Sequence, residues 1–451
     1  MKIVIIGGVA AGAKVAAKSR RMCPDAKIDI YTEEVHVSYS SCGMPYYIEG
    51  DFEDFHNLII RTPEEFKKSN IDVHLRNKVI KIVPESKHLV IKDLDTNEEF
   101  TADYDKLVIA TGAKPFIPNI KNNGLKNIFS LRTLEDGIAI KEQMKKSRHI
   151  TIVGAGFIGI ELLEAFVKNN IKVTLIERSS YLLPMLDEDI TKELTEFILN
   201  KHSDLVNLIF SDSVIEFIGE DTVTEVLTAN GHRFNTDMVI LSTGIKPAID
   251  IAKEAGVNIG ETGAIQVTTR METNLPDVYA CGDCIEKTHL ITKKPVWIPL
   301  GSNANKEGRC AAINLSGGFD ILEGILGSAV TRYFCLTIST TGLTEKNALK
   351  AGFNPISYTI TKRDRPKYMP KVHTITIKLV ADRTTHKMLG GQAIGCGDAD
   401  KRINTLATGL LDNMTIEDLL GADITYAPPF STSIDPLLTA ARQLYDKLKK
   451  G

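Results

Sequence analysis

The hydrophobic positions of the chain first form a short run, Lys2–Ile6, that leads directly into glycines. A segment rich in Ala, Lys and Arg follows with helical spacing, and a second apolar run occupies Lys27–Tyr31. Short apolar strands joined by one amphipathic helix are typical of a βαβ unit with parallel strands. The pattern therefore predicts a parallel sheet that begins with the first residues.

The same pattern returns in the middle of the chain. His149–Val153 is an apolar strand, Gly154–Gly159 is a glycine turn that opens a helix, and Lys172–Glu177 is the next strand. Two further apolar strands end in Thr-Gly and close the two units at comparable points, residues 103–112 and 236–244. We expect an α/β protein with two Rossmann-like dinucleotide-binding domains.

From about Ile325 onward the order of elements changes. Strand-like runs come first and helical segments follow, which favours a separate α+β domain. The runs are Ala329–Thr341, Ile356–Ile360 and His373–Leu379, and the helical segments lie near Lys401–Asp412 and Asp435–Lys449.

Composition narrows the classes of partner and compartment. The 451 residues suggest about three domains, and the 54 basic against 57 acidic residues give no reason to expect nucleic acid or an anionic membrane as partner. Neither a signal peptide nor an apolar stretch long enough to span a membrane is evident. The seven scattered cysteines then indicate a reduced, cytoplasmic setting in which cysteine chemistry is catalytic rather than structural.

The second glycine turn predicts an NAD site. Gly154, Gly156 and Gly159 hold all three glycine positions of the fingerprint between a strand and a helix, where backbone amides can approach a pyrophosphate. Glu177 ends the next strand, where a carboxylate accepts ribose hydroxyls and disfavours a 2′-phosphate. This favours NADH, and Arg178 beside it leaves NADPH open. The remaining predicted contacts are Phe157, Ile158 and Gly244. Phe157 resembles an aromatic residue that shields the flavin until NADH enters, and an ordinary core aromatic is the alternative explanation for it.

The first turn departs from the fingerprint because Val9 stands at the middle glycine position. The distant segment Thr273–Asp283 strengthens it, because it resembles the strand that delivers an aspartate, here Asp283, to the flavin of two-nucleotide flavoproteins. Glu33 is our choice for the ribose acid. The full set of predicted FAD contacts is Gly7, Gly8, Ala10, Ala11, Gly12, Glu33, Cys42, Ala110, Thr111, Gly112, Arg132, Asp283 and Gly301.

The order of these motifs implies a split domain. Asp283 follows both glycine turns, so the NAD unit must be inserted within the FAD domain. We predict an FAD domain of residues 1–120 and 246–324, an NAD domain of residues 121–245, and a C-terminal dimerisation domain of residues 325–451.

Cys42 is the candidate redox sulfur. It lies in Tyr39–Tyr47, just beyond the second strand of the FAD unit, where Pro45 suits the first turn of a helix that Cys42 would open. A helix N-terminus stabilises an anion and lowers a thiol pKa, and the thiolate is the nucleophile in disulfide exchange. The other six cysteines, including the Cys281 and Cys284 pair, are interpreted as small packing residues, and no metal site is expected.

The segment S-Y-S-S-C-G-M-P-Y-Y around this lone cysteine resembles the coenzyme A-disulfide reductase and NADH oxidase/peroxidase branch of the pyridine nucleotide-disulfide oxidoreductases. The resemblance covers essentially the whole chain. Ala10 stands where peroxidases carry a catalytic histidine, which removes the proton donor for peroxide chemistry. Tyr368 and Tyr426 match two tyrosines that, in the family, reach the cysteine of the other subunit of a homodimer.

The same resemblance suggests a pocket for coenzyme A. Cations are needed for its phosphates, and three basic residues recur at helical spacing on the first helix. A solvated helix face is the alternative explanation for them. The predicted substrate contacts are Lys14, Lys18, Arg21, Ser38 and Ser41. A lysine usual in this pocket aligns with Asn70, although Lys67 and Lys68 are close by.

Together these features imply FAD-dependent reduction of a low-molecular-weight disulfide or persulfide by NAD(P)H through Cys42, with coenzyme A disulfide as first choice. Two other functions stay open. One is an NADH oxidase that reduces oxygen at the flavin, and the other is a flavoprotein whose NADH-dependent state governs binding to a partner.

Overall fold

The computed structural model describes residues 1–122 and 124–450. The chain starts as predicted, with a strand, a helix and a parallel strand. Its first elements are β1 (Lys2–Ile6), α1 (Ala11–Met22), β2 (Lys27–Tyr31), α2 (Met44–Glu49), α3 (Pro63–Lys67), β3 (Ile71–His74), β4 (Asn77–Val83), β5 (His88–Asp93), β6 (Glu99–Asp103), β7 (Lys106–Ile109) and β8 (Ala113–Pro115). Strands β4, β5 and β6 form a separate antiparallel sheet beside the parallel one.

The middle of the chain repeats this plan. A parallel sheet has the order β12-β11-β10-β16-β9, and β13, β14 and β15 form a second antiparallel sheet. The elements are β9 (Ile128–Phe129), α4 (Leu134–Met144), β10 (His149–Val153), α5 (Phe157–Lys168), β11 (Lys172–Glu177), α6 (Glu188–His202), β12 (Val206–Phe210), β13 (Val214–Gly219), β14 (Val223–Thr228), β15 (Arg233–Asn235) and β16 (Met238–Leu241).

The chain then returns to its first sheet. The elements are β17 (Ile245–Pro247), α7 (Asp250–Glu254), β18 (Val278–Ala280), β19 (Lys287–Thr288), β20 (Pro295–Val296) and α8 (Gly301–Leu315). Strand β18 pairs in parallel with β7, which gives the sheet order β18-β7-β1-β2-β3, and β17 pairs with β8. The middle unit is therefore an insertion between two parts of one sheet. The boundaries at residues 120, 245 and 324 stay predictions.

The last part of the chain is an antiparallel sheet covered by helices. Its order is β21-β22-β25-β24-β23. The elements are β21 (Ala329–Tyr333), β22 (Leu336–Gly342), α9 (Glu345–Lys350), β23 (Pro355–Arg363), β24 (Thr374–Asp382), β25 (Met388–Gly395), α10 (Ala399–Leu410), α11 (Ile416–Leu420) and α12 (Pro436–Lys450). The predicted class, two parallel α/β units followed by an α+β unit, is confirmed.

Burial explains why the first strand of each parallel unit reads as a continuous apolar run. Ile3, Val4 and Ile5 of β1 and Ile150 and Ile152 of β10 are all fully buried, because helices and further structure cover both faces of the sheets. None of the helices among the described residues is long and apolar enough to cross a membrane.

Two features of the last sheet differ from the expectation. The run Ala329–Thr341 is two strands, because Phe334 adopts a left-handed conformation (φ 53°) and turns the chain into a hairpin. Strand β25 was not predicted, because its sequence MLGGQAIG contains adjacent glycines that weaken a strand pattern. All eight of its residues are nevertheless buried, so β25 is a central strand whose glycines permit close packing.

The structure also corrects the interpretation of two cysteines. Cys335 and Cys396 form a disulfide between the β21–β22 hairpin and the end of β25. The expectation that all cysteine chemistry is catalytic, with six cysteines serving as small packing residues, is therefore wrong for this pair. The two cysteines are 61 residues apart in sequence and are brought together by the pairing of strands, so the sequence alone did not predict their contact.

Candidate active site

The first glycine turn forms an open helix N-terminus. Gly7 has a φ of +98°, and a side chain there would collide with the carbonyl oxygen of Ala110, the residue that follows β7. Helix α1 begins at Ala11, and its cap residue, Ala10, provides no side-chain hydrogen bond. The first amides of α1 are thus directed at a space bounded by backbone, which is how proteins hold a phosphate.

The second turn has the same construction. Gly154 has a φ of +101°, and a side chain there would approach the carbonyl oxygen of Ser242 to 2.6 Å. Helix α5 begins at Phe157 after Gly156, again without a side-chain cap. Elsewhere in the chain a threonine caps the helix by accepting a hydrogen bond from a backbone amide, at Thr62, Thr133, Thr344 and Thr415. Helices α1 and α5 follow their glycine turns without such a cap, so the free amides at both N-termini are available to a pyrophosphate.

Asp283 fits the acceptor position of the first site. Its Oδ1 is buried and has no hydrogen-bond partner within the described part of the chain. Its backbone is fixed, because the indole N–H of Trp297 donates to the Asp283 carbonyl at 2.7 Å, and the amide of Gly282 donates to Glu307 at 2.8 Å. An orphaned carboxylate oxygen on a rigid turn suits the hydroxyls of a ribityl chain.

Arg132 and the Ala110–Gly112 strand end lie at this site together. The Arg132 guanidinium packs against Gly112, and its Nε donates to the carbonyl of Ala113 at 2.8 Å. The hydroxyl of Thr111 donates to the carbonyl of Ala248 at 2.6 Å, which joins the two parts of the split domain. These contacts place Arg132 at the edge of the first nucleotide cradle.

The choice of Glu33 as ribose acid is not supported by its position. Glu33 is exposed, and its carboxylate pairs with Lys78 at 2.7 Å. The neighbouring Glu34 is less exposed and accepts a hydrogen bond from the Tyr39 hydroxyl at 2.6 Å, with Arg132 close enough to act on its charge. The two adjacent acids thus have different surroundings, which sequence reasoning could not distinguish.

Glu177 is fixed at the second site. Its Oε2 accepts from the amide of Ala155 at 2.7 Å, and its Oε1 accepts from the amide of Ser179 at 2.7 Å. The carboxylate is buried at the end of β11, beside the glycine turn, with both oxygens held in place. A ribose hydroxyl can still donate to it, whereas a 2′-phosphate would face a fixed negative charge.

We therefore expect Glu177→Gln to weaken the preference for NADH over NADPH. The neutral amide removes the repulsion of a 2′-phosphate, and the ratio of the two kcat/KM values should fall about tenfold, equivalent to ~1.4 kcal/mol. Steady-state kinetics with both nucleotides measure the ratio. Arg178→Gln is the matched control, and an unchanged ratio in Glu177→Gln would contradict the role of the carboxylate.

Cys42 lies in a short 3-10 turn, Ser41–Gly43, that precedes α2, so it does not open that helix itself. It is exposed, and its Sγ would lie 3.9 Å from a Cβ atom added to Gly301, the first residue of α8. The sulfur therefore faces the uncapped N-terminus of a 15-residue helix. Gly301 and Cys42, both predicted as FAD contacts, therefore lie side by side.

The expected lowering of the Cys42 thiol pKa is wrong for the protein chain by itself. Surrounding atoms hinder solvation and raise the pKa, and the nearby Glu161 carboxylate raises it further. A hydrogen bond involving the Ser41 side chain acts in the opposite direction. Ser41, which was predicted to contact the substrate, therefore contacts the Cys42 sulfur itself.

Glu161 is a site residue that sequence reasoning missed. It lies one turn after Phe157 on α5, accepts a hydrogen bond from the Thr331 hydroxyl at 3.1 Å, and acts on the charge state of Cys42. Burial raises the pKa of Glu161 to about 7. The available signal was a pair of acids, Glu161 and Glu164, in the apolar helix sequence FIGIELLEAF, because a carboxyl on such a helix needs a reason.

We expect Glu161→Gln to lower the pKa of the Cys42 thiol. Because the Glu161 carboxyl loses its proton near pH 7, its charge opposes formation of the thiolate above that pH, and glutamine removes this opposition. The pH dependence of Cys42 alkylation by iodoacetamide, measured anaerobically on reduced protein, should shift to lower pH. Glu161→Asp keeps the charge and is the control. A midpoint unchanged or moved to higher pH in Glu161→Gln would refute the interpretation.

The two predicted catalytic tyrosines lie on the surface of the last domain. Tyr368 and Tyr426 are 70% and 49% exposed, and neither hydroxyl makes a hydrogen bond within residues 1–122 and 124–450. Ser38, predicted as a substrate contact, is buried with a φ of 51°, and its amide donates to the carbonyl of Gly8. Its position favours support of the first glycine turn over contact with a substrate.

The predicted cationic face of α1 is present. Lys14, Lys18 and Arg21 lie on this helix with partial or full exposure, and the described residues provide none of them with an ion pair. Asn70 follows α3 in a left-handed conformation (φ 53°). Lys67 is paired with Asp72, so of the two nearby lysines only Lys68 has no ion-pair partner in the described chain.

Cys281 and Cys284 are packing residues, as predicted. Both are completely buried, and burial raises the pKa of the Cys284 thiol to about 11. The described residues contain no cluster of metal-ligating side chains.

A split parallel domain, an inserted parallel domain and a cysteine that faces the N-terminus of α8 together define a flavin- and nicotinamide-dependent oxidoreductase fold. The family models agree. Residues 1–308 match the pyridine nucleotide-disulphide oxidoreductase family, and residues 328–437 match the dimerisation domain of that family. The chain belongs to this family, whose members bind FAD and NAD(P)H, and both cradles described above fit these groups.

Individual relatives resemble the chain over its full length. It is 39% identical over 445 residues to the NAD(P)H sulfur oxidoreductase (CoA-dependent) of Pyrococcus abyssi, covering 98% of each chain. It is 34% identical to an NADH oxidase of Methanocaldococcus jannaschii, covering 99% of each. Among solved structures, the NAD-dependent persulfide reductase from A. fulgidus superposes with a TM-score of 0.96 at 35% identity, covering all of this chain and 84% of that one.

Proposed function

We propose that the protein uses NAD(P)H to reduce a low-molecular-weight disulfide or persulfide through Cys42, with coenzyme A disulfide as the first candidate. The observation that carries the proposal is the position of Cys42, which is exposed beside Gly301 at the start of α8 and close to both Asp283 and Glu161 of the inserted domain. A sulfur in that place can exchange electrons with a flavin on one side and a thiol on the other. The names of the Pyrococcus and A. fulgidus relatives agree with this substrate class.

FAD, when bound, supplies the two-electron relay between the nicotinamide and the sulfur. The chain contributes the rest. The Cys42 thiolate attacks one sulfur of the substrate disulfide, so that the S–S bond breaks, a mixed disulfide forms and one thiolate leaves. The N-terminus of α8 favours the Cys42 thiolate and the charge of Glu161 opposes it. Glu161 is protonated below about pH 7, so it can hold a proton beside the sulfur at neutral pH. Asp283 and the first turn of α1 would hold FAD, and Glu177 would accept a ribose hydroxyl of the nicotinamide nucleotide.

The cations of α1 support coenzyme A as the thiol component. Lys14, Lys18 and Arg21 follow the flavin cradle along one helix and lack ion-pair partners within the described residues, so they can bind phosphates of a ligand whose thiol reaches Cys42. In a homodimer, the exposed Tyr426 and Tyr368 of each subunit would reach the other subunit's Cys42. A cytoplasmic setting is part of this proposal, since low-molecular-weight thiols are kept largely reduced there.

Anaerobic turnover tests the proposal. With NADH and coenzyme A disulfide under argon, we expect two free thiols released for each NADH oxidised. Glutathione disulfide is the control substrate, because it lacks the phosphates that the α1 cations would bind. The proposal would be contradicted if NADH were oxidised anaerobically without release of thiols, or if no NADH were oxidised.

An NADH oxidase is the second candidate, favoured by the similarity to the Methanocaldococcus jannaschii protein. The same assay distinguishes the two functions. Consumption of NADH that requires oxygen and is indifferent to added disulfide supports the oxidase.

A further inference from the structure

A second pair of sulfurs lies outside the site described above. Strand β22 pairs with β25 so that Thr337 is opposite Gly395, and the residues just beyond this end of the ladder are Cys335 and Cys396. Their Cα atoms are 4.8 Å apart and their sulfurs form a disulfide. Disulfides need Cα atoms within about 4.4–6.8 Å, so the two strands hold the cysteines in a bonding position.

We propose that Cys335 and Cys396 form a reversible thiol–disulfide site that is oxidised by low-molecular-weight disulfides. Cys335 is exposed at the tip of the hairpin and Cys396 is half-buried beside it. Among the residues that the structure describes, the exposed cysteines are Cys42 and Cys335. The pair therefore combines one thiol that solutes can reach with a second thiol placed to resolve the product.

The chemistry balances with the disulfide as oxidant. The Cys335 thiolate attacks the substrate disulfide, forming a mixed disulfide and releasing one thiolate. The Cys396 thiolate then attacks the Cys335 sulfur, forming the internal bond and releasing the second thiolate. The two protein thiols lose two electrons and two protons, and the substrate gains both as two thiols. Excess free thiol reverses both steps.

The Cys335–Cys396 bond restrains the hairpin that follows β21, a strand whose residues contact the Cys42 site. From β21, the Thr331 hydroxyl donates to Glu161 at 3.1 Å, and Arg332 donates to Glu49 of α2 at 3.0 Å. At the hairpin, Phe334 stacks on His202 of α6 with ring centroids 4.4 Å apart. Closure of the Cys335–Cys396 bond thus restrains the end of the segment that joins the last domain to both nucleotide domains.

Differential alkylation of the full-length holoenzyme tests the proposal. Reduced, desalted protein is equilibrated with glutathione and glutathione disulfide at a series of ratios, quenched with N-ethylmaleimide in denaturant, and mapped by peptide mass. We expect the labels on Cys335 and Cys396 to disappear together as the disulfide fraction rises, with a cross-linked peptide two hydrogens lighter than the sum of its parts. Both labels should return when free glutathione is in excess.

Two variants make the result specific. In Cys335→Ser, Cys396 should remain alkylated or carry a single glutathione. In Cys42→Ser, the internal bond should form at the same ratios as in the wild type, because it needs no turnover. The proposal is overturned if the two cysteines are labelled independently at every ratio, if each carries its own glutathione, or if the bond forms only when Cys42 is present. If the wild-type protein did not reduce coenzyme A disulfide, the proposed function would be refuted, and the alkylation result for Cys335 and Cys396 would be unaffected.

Discussion

Replacement of Cys42 by serine is expected to lower the kcat for disulfide reduction on the order of 10³-fold or more, which corresponds to about 4 kcal/mol of transition-state stabilisation. A serine hydroxyl cannot form a disulfide with the substrate, and no other exposed sulfur of the described chain lies at the start of α8. Anaerobic assays that follow NADH oxidation and thiol release together measure the effect.

The nucleotide sites should survive the Cys42→Ser substitution. FAD content and NADH-dependent reduction of ferricyanide, an acceptor that takes electrons without a thiol, are expected to stay within about twofold, since differences this small correspond to less than ~0.5 kcal/mol. Cys23→Ser, at a half-buried free cysteine at the end of α1, is the matched control and should keep disulfide reduction. Full disulfide reductase activity in Cys42→Ser would remove the basis of the mechanism.

Substitution of Glu307 by alanine should cost about 3–5 kcal/mol of folding free energy, because it leaves a buried charge without its partner. Glu307 is fully buried in α8, pairs with the buried Lys287 at 3.3 Å, and accepts from the Gly282 amide at 2.8 Å. The same contacts hold the turn that presents Asp283. Urea unfolding followed by circular dichroism should show the loss of stability, and FAD should dissociate at lower denaturant than from the wild type.

A double variant separates the ion pair from the turn. Lys287→Met with Glu307→Leu removes both charges, so it should be less destabilised than Glu307→Ala. The double variant still lacks the carboxylate that accepts from the Gly282 amide, so its FAD binding should be as weak as in Glu307→Ala. Equal destabilisation of the single and the double variant would show that the buried lysine charge is not the cause.

The nucleotide cradles could be predicted from the sequence because they depend on local geometry. A strand, a turn that requires a left-handed glycine, and a helix without a side-chain cap occupy consecutive residues, as at Gly7 and Gly154. The return of the chain to its first sheet could also be predicted, since Asp283 had to follow both turns. β18 then pairs with β7 as that order requires.

The remaining features depend on contacts between distant segments. Glu161 acts on Cys42 because α5 of the inserted domain packs against α2, and the Cys335–Cys396 bond exists because β22 pairs with β25. Which of two adjacent acids turns inward after β2 is decided by the path of the chain toward Tyr39. Hydrophobic periodicity contains no information about any of these contacts.

The most direct test of the central claim is the mass of the peptide that contains Cys42. Prereduced, desalted protein is treated with one equivalent of coenzyme A disulfide under argon, without NADH, then alkylated and digested. We expect a coenzyme A adduct on Cys42 that dithiothreitol removes and that is absent from Cys42→Ser. A Cys42 peptide that is alkylated in full, with no adduct, would contradict the claim that this sulfur exchanges with the thiol substrate.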